Sequence, residues 1–356
     1  MHRRVRGRVF TGWSRNPRVG RRAAVCAVCG DLHGGAGRPR SLGHLLLLGV
    51  ILGLVTALSH SLAYLASRWY CTTDANGGAP RGTPLQLLAR AHVLLGAVAL
   101  AVLPGVLEPG RLPPPGAAWL YPLGATAGFV CGQGAMFTAL RLTDASRAAP
   151  MLALKIPLLA LVSAAVLSRP LGGGQWLAVG LAVAAAWVLN RAGGRIPRPA
   201  LLRLGAAIVS YATADACITA FIDTLGRPGD DALQRCRAAV TTACLTHLLA
   251  GAVGAALLPR VGPGRPTHWK GVLPYAAAWT CAMVSLYGTF ALLGVVYGNI
   301  LQSTRTLWSV LLGAALARAG WVHLEARHGR GVVAARVAAA ALMVAAVVLF
   351  ALSLSP

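Results

Sequence analysis

The chain has 356 residues, 56% of them hydrophobic and only 12% charged, with a formal net charge of +24. A mean hydropathy of +0.64 excludes an ordinary soluble domain, because so little polar side chain cannot cover a water-exposed surface. The positive charge does not point to nucleic acid. The basic residues gather in the first 42 positions and between apolar runs, as topology signals of membrane proteins do, so no nucleic-acid partner is expected.

Residues 1–42 are rich in Arg, Gly and Pro, hold one acid (Asp31) and show no apolar periodicity. They read as a basic disordered tail, as an Arg-rich targeting segment, or as sequence upstream of the true start. Cys26-x-x-Cys29 with His33 is half of a four-ligand zinc site, and no second pair completes it. No metal is assigned.

A spanning helix needs about 20 mostly apolar residues. Ten runs qualify: 44–67, 84–107, 117–140, 146–168, 174–190, 200–222, 236–258, 271–295, 299–317 and 332–354. Continuous apolar runs mean helices; a barrel would show short alternating segments. The fold class expected is therefore an all-α polytopic membrane protein of ten transmembrane helices. The linker 192–199 divides it into a first five-helix unit, 43–191, and a second, 200–356.

The two units repeat each other. His92-x-x-x-Gly96-Ala97-Val98, ending at Pro104, returns as His247-x-x-x-Gly251-Ala252-Val253, ending at Pro259. Pro122 and Ala139-Leu140 return as Pro274 and Ala291-Leu292, and Ser59-His60 as Ser210-Tyr211. A duplicated helix bundle suggests a carrier with its site between the halves.

Ionisable groups within apolar runs mark that site, since each costs at least about 2.5–3.5 kcal/mol at the bilayer centre. Lys155 falls about mid-way along the fourth run and Arg305 within the ninth, at nearly matched repeat positions. They suit a substrate with a negative group, or else each pairs with an acid or a backbone carbonyl. Asp215 is the one acid deep in a run; it either neutralises Lys155 or Arg305, or carries a coupling proton or sodium ion. His60, His92 and His247 offer interhelix hydrogen bonds or proton relays. Gln133 and Gln302 add neutral polar groups, and Tyr64 and Trp279 are candidates to pack on the apolar part of a substrate. Arg90, near a helix end, is expected to snorkel toward the interface. Gly124, Gly128 and Gly132 form a small-residue stripe for close helix packing.

Three stretches carry a family likeness: Phe137-Thr-Ala-Leu-Arg-Leu-Thr-Asp-Ala-Ser-Arg147, then Lys155-Ile-Pro157, then Gln175-Trp-Leu-Ala-Val-Gly180. With the helix pattern over roughly 44–354, they resemble the drug/metabolite transporter superfamily in its ten-helix EamA-type branch. The chain departs from it after the fourth run, where Ser168-Arg169-Pro170 replaces the usual Gly-Glu; in the second half the acid, Glu325, stands later than the family's. The resemblance implies two inverted five-helix repeats, cytoplasmic termini and alternating access.

Other chemistry is poorly represented. His323-x-Glu325-x-x-His328 is not a zinc-protease motif, and Gly172-Gly-Gly174 lacks the Lys of a phosphate-binding loop. Neither enzyme activity nor a cofactor is expected. The expected function is secondary active transport, most simply export, of small organic metabolites or drugs across a bacterial inner membrane. Its partners would be the lipid bilayer, a small-molecule substrate with an anionic group, and protons or sodium, in a monomer or homodimer. The alternative is a non-transporting membrane scaffold or accessory protein.

Overall fold

The computed structural model describes residues 39–72, 79–155, 158, 172–192, 195–227, 229–262, 266–322, 324–325 and 328–353. The chain separates into two compact units, Met1–His44 and Leu45–Pro356, and the second holds the helical body. Cys26, Cys29 and His33 lie outside the described residues, as does the expected tail up to residue 38. Residues 39–42 are helical, not tail, because Pro39 suits the first turn of a helix.

Among the described residues there are ten α-helices and no strand. In chain order they are α1 Pro39–Cys71, α2 Pro84–Val106, α3 Leu120–Leu140, α4 Ala145–Met151 and α5 Gly173–Arg191. The second series is α6 Arg198–Leu225, α7 Ala232–Val261, α8 Pro266–Ser303, α9 Arg305–Arg318 and α10 Arg330–Leu352. Seven stretches are long and apolar enough to cross a membrane: Leu45–Cys71, Pro84–Val106, Ala117–Leu140, Arg198–Leu225, Ala232–Val261, Thr267–Gly294 and Arg330–Leu349. Gly173–Leu189 is apolar but shorter. The protein is an integral membrane protein.

Two of the ten expected spans are built differently. The fourth opens as a seven-residue helix containing Pro150, tightens into a 3-10 turn at Leu152–Leu154 and reaches Lys155; residues 159–168 lie outside the described residues. Pro150 stands in the last turn of that helix, two residues before the 3-10 turn begins. The ninth is interrupted: α8 runs through a kink at Gly294 to Ser303, and α9 starts again at Arg305. Gly294 has φ +79°, where a side chain would be strained, so glycine alone admits the kink without penalty. Arg305 therefore opens a helix and is not embedded within one.

Helix entries follow local capping chemistry. Thr83 and Gln86 form a reciprocal capping box at α2, and Asp231 and Gln234 form another at α7. Packing follows the small residues. A Cβ on Gly96 would lie 2.8 Å from Gly251 Cα, and one on Gly251 would lie 2.8 Å from Gly96 Cα. The repeat-matched glycines of α2 and α7 thus meet each other at one crossing. The α3 stripe faces α6: Gly128 abuts Ser210 O and Ala214, Gly132 abuts the Tyr211 ring, and Gly124 abuts Cys217 Sγ. Arg90 does not snorkel. It is 1% exposed and donates to Tyr70 Oη at 3.0 Å, because that hydroxyl is an acceptor within reach inside the bundle.

Opposite ends of α3 carry separate ionic clasps. At one, Arg111 bridges Glu108 (2.5 Å) and Asp230 (2.6 Å), and Arg237 reaches Glu108 (3.1 Å), joining the α2–α3 and α6–α7 loops. The Arg111 hydrogen bond holds the Asp230 carboxyl below the usual carboxylate range. At the other, Asp144 meets Arg68 at 2.9 Å and Arg336 at 3.8 Å.

Candidate functional site

Lys155, Asp215 and Gln302 come together in the buried centre. Lys155 follows the 3-10 turn after α4, Asp215 lies on α6, and Gln302 is in the last turn of α8. Lys155 Nζ donates to Asp215 Oδ2 at 2.5 Å and to Gln302 Oε1 at 2.6 Å, and all three residues are at most 3% exposed. Of the two roles open to Asp215, the geometry shows an ion pair with Lys155. A buried pair of this kind persists only if additional hydrogen bonds serve its remaining protons and lone pairs, and Gln302 supplies one.

Arg305, the first residue of α9, is 3% exposed and has no acid within ion-pair distance among the described residues. Among the described residues its Nε has no hydrogen-bond partner. Its carbonyl accepts from Ser61 Oγ (3.2 Å), and Ser61 Oγ in turn accepts from Ser309 Oγ (3.0 Å), so α1 and α9 are tied there. The Arg305 charge acts on Lys155, Tyr64 and His60. Among the described residues the centre thus holds two cations and one carboxylate.

Aromatic rings surround Trp279 of α8. His60 meets it edge-on at 5.2 Å, Tyr275 stacks on it at 5.8 Å, Phe129 stands perpendicular at 6.2 Å and Tyr211 lies at 6.5 Å. Tyr64 touches His60 at 6.2 Å. Trp279 Nε1, Tyr211 Oη, Tyr275 Oη and Gln133 Oε1 are buried without hydrogen-bond partners among the described residues. Such atoms each cost about 1–3 kcal/mol when left unpaired.

Phe129 and Tyr275 are not among the candidates read from the sequence, and Tyr211 enters there only as the repeat counterpart of His60. Each of the three stands four residues before a residue that is a candidate: Gln133, Asp215 and Trp279. Residues four apart share a helix face, so that spacing was the available signal. His92 and His247 sit at the α2–α7 crossing, apart from the Lys155 pair. Each Nδ1 meets the carbonyl four residues back in its own helix, Leu88 O at 2.7 Å and Ala243 O at 2.8 Å. His247 reaches the aromatic group through Phe129, at 6.4 Å.

Glu325 makes a second buried polar centre. Asp144 precedes α4 but makes no side-chain cap; it is turned to Arg68. Glu325 takes the capping role from across the fold, accepting from Ser146 N at 2.7 Å and Ser146 Oγ at 3.0 Å. Gly313 leaves the room: a Cβ there would lie 3.0 Å from both Glu325 Cδ and Ser146 Cβ. Burial, and then the Asp144 charge, push the Glu325 carboxyl up from its ordinary 4.5 to about 7, although Ser146 and Arg68 pull it down. Facing it are Arg68 of α1, Arg147 of α4, Arg318 of α9, Arg336 of α10, and His328. The folded chain therefore keeps a proton at pH values where the unfolded chain has lost it. Stability is expected to fall as pH rises from about 4.5 to about 7 and then level off. Glu325→Gln should remove that slope when apparent melting temperature is followed from pH 5 to 8.

Comparison with known proteins agrees with this architecture. The EamA-like transporter family pattern matches residues 47–191, from α1 through α5. Residues 47–191 form an EamA-like transporter domain. This is consistent with membership of the drug/metabolite transporter superfamily and with a membrane transporter of that type. A solved crystal structure of a protein aligns with a TM-score of 0.56 at 19% identity. The alignment covers 86% of this chain and 99% of that one, and at such identity it carries the fold alone. A search of curated proteins gives no match.

Proposed function

We propose that the protein is a secondary active transporter of small organic solutes, working as an exporter in a bacterial inner membrane. The observation that carries this reading is the buried Lys155–Asp215–Gln302 constellation. It joins the segment that follows α4, within the residues that match the EamA-like family, to α6 and α8 beyond them. An intramembrane charge pair is costly, and such groups mark substrate or ion pathways.

In this reading the two units, 43–191 and 200–356, are inverted repeats. The mutual approach of the matched Gly96 and Gly251 supports a symmetry axis at the α2–α7 crossing. The substrate binds at the centre with its negative group on Arg305 and its flat apolar part against Trp279, Tyr64 and Tyr211. Gln133 and Gln302 orient it. Approach of that group to Lys155 frees Asp215, which is the coupling group of this reading. Alternating access opens one end clasp at a time.

The test is uptake and proton flux in proteoliposomes against matched carboxylates, amides and amines. Substrate-dependent flux should fall at least tenfold in Asp215→Asn, and Arg305→Gln should raise the KM for carboxylates. Flux that survives both substitutions unchanged overturns the site. The scaffold alternative predicts a centre closed to water: Lys155→Cys would then resist small polar thiol reagents, whereas a transporter exposes it.

A further inference from the structure

A cavity of about 420 Å³ lies where α4 begins, α9 ends and α10 begins. Its polar wall consists of Ser146, Arg318, Glu325, His328, Arg330 and Arg336. Three guanidiniums therefore face one carboxylate. Arg336, 4% exposed, donates to Ser146 Oγ at 2.9 Å and to Ala192 O at 3.3 Å, and meets His328 Nε2 at 2.8 Å. Its nearest acid is Asp144 at 3.8 Å, and Asp144 is already held at 2.9 Å by Arg68. Arg318 and Arg330 are exposed and form no ion pair among the described residues. Glu325 is occupied by the backbone and hydroxyl of Ser146.

Positive charge is thus in surplus around a polar cavity at the end of the membrane-spanning helices. Guanidinium groups present several donors in a fixed fork suited to phosphate oxygens. We infer that this cavity binds a phosphate-type oxyanion through Arg318, Arg330 and Arg336, at a site separate from the Lys155 centre. Two sources offer that chemistry: the headgroup of an anionic phospholipid, reached because the cavity lies at a helix end, and a soluble oxyanion. The inference stands whether or not the protein transports anything. Protonation of Glu325 removes the one negative wall group among the described residues, so occupancy rises as pH falls through about 7.

The experiment is equilibrium binding of radiolabelled sulfate to the full chain in nanodiscs of neutral phosphatidylcholine, at pH 6 and pH 8. Sulfate is used because its charge does not change over that range. Binding is expected, tighter at pH 6, and weakened at least tenfold in Arg318→Gln/Arg330→Gln. That variant alters exposed residues outside the Glu325–Ser146 network and so leaves the fold in place. A parallel series adds phosphatidylglycerol and weighs retained lipid by mass spectrometry. Loss of sulfate binding with phosphatidylglycerol retained by the wild type, but not by the variant, identifies the lipid headgroup as occupant. Sulfate binding unaffected by phosphatidylglycerol identifies a soluble anion. Equal sulfate binding and equal lipid retention in wild type and variant, or neither in both, overturns the site.

Discussion

Asp215→Ala is expected to lower stability by about 3–5 kcal/mol, because it leaves the Lys155 ammonium buried without its counter-charge. Gln302 alone cannot neutralise it, and Arg305 adds repulsion. Lys155 is 3% exposed, so bulk solvent does not reach its ammonium in the folded chain. The double substitution Lys155→Met/Asp215→Leu should restore much of the loss, since exchanging a buried ion pair for apolar groups of similar size is often neutral or better. Transport should not return with it. Thermal unfolding in detergent, read beside proteoliposome flux, separates the two effects. A stable Asp215→Ala protein would show that the pair is not buried as described. A double variant that transports would show that the pair serves the fold alone.

Gly96→Ala or Gly251→Ala should each destabilise by about 1–3 kcal/mol, because a methyl group at either position meets a backbone. Side chains can move aside, but here the obstacle is the Cα of the facing glycine at 2.8 Å, with His92 O a further 3.2 Å from a Cβ at 251. The helices must separate. Once one alanine has pushed α2 and α7 apart, the second finds part of the space made, so the double variant should lose less than the sum. Gly180→Ala in α5 and Gly205→Ala in α6 are the controls: nothing lies within 4 Å of either Cβ. Their melting temperatures should stay level or rise, since alanine favours helix over glycine by about 1 kcal/mol. If all four behave alike, the α2–α7 crossing is not close-packed.

The two expected effects arise at positions that the sequence exposed to different degrees. His92-x-x-x-Gly96 and its copy at His247-x-x-x-Gly251 were visible as a repeat, yet nothing in one dimension says that copies touch. Lys155 and Asp215 stood out because charge is costly in an apolar run. Their pairing is a contact between segments 60 residues apart, Lys155 just after the 3-10 turn that follows α4 and Asp215 on α6. Arg305 was visible as an intramembrane cation but placed inside a continuous helix. The break at Ser303–Thr304 puts it at a helix start instead.

Glu325 shows the limit most plainly. In sequence it belongs to a basic loop and to a motif without chemistry. In the fold it is 1% exposed, caps α4 from the other half of the chain and borders a cavity with three arginines.

Hydropathy, helix count and the positions of the costly charges follow from composition along the chain, because bilayer insertion acts on each segment by itself. Which charge neutralises which, where helices break, and which loop residue caps a distant helix do not. Those depend on contacts between segments far apart in sequence, where a kink at Gly294 or the absence of one Cβ sets the approach. Packing at close range decides them, and only the assembled bundle brings those atoms within range.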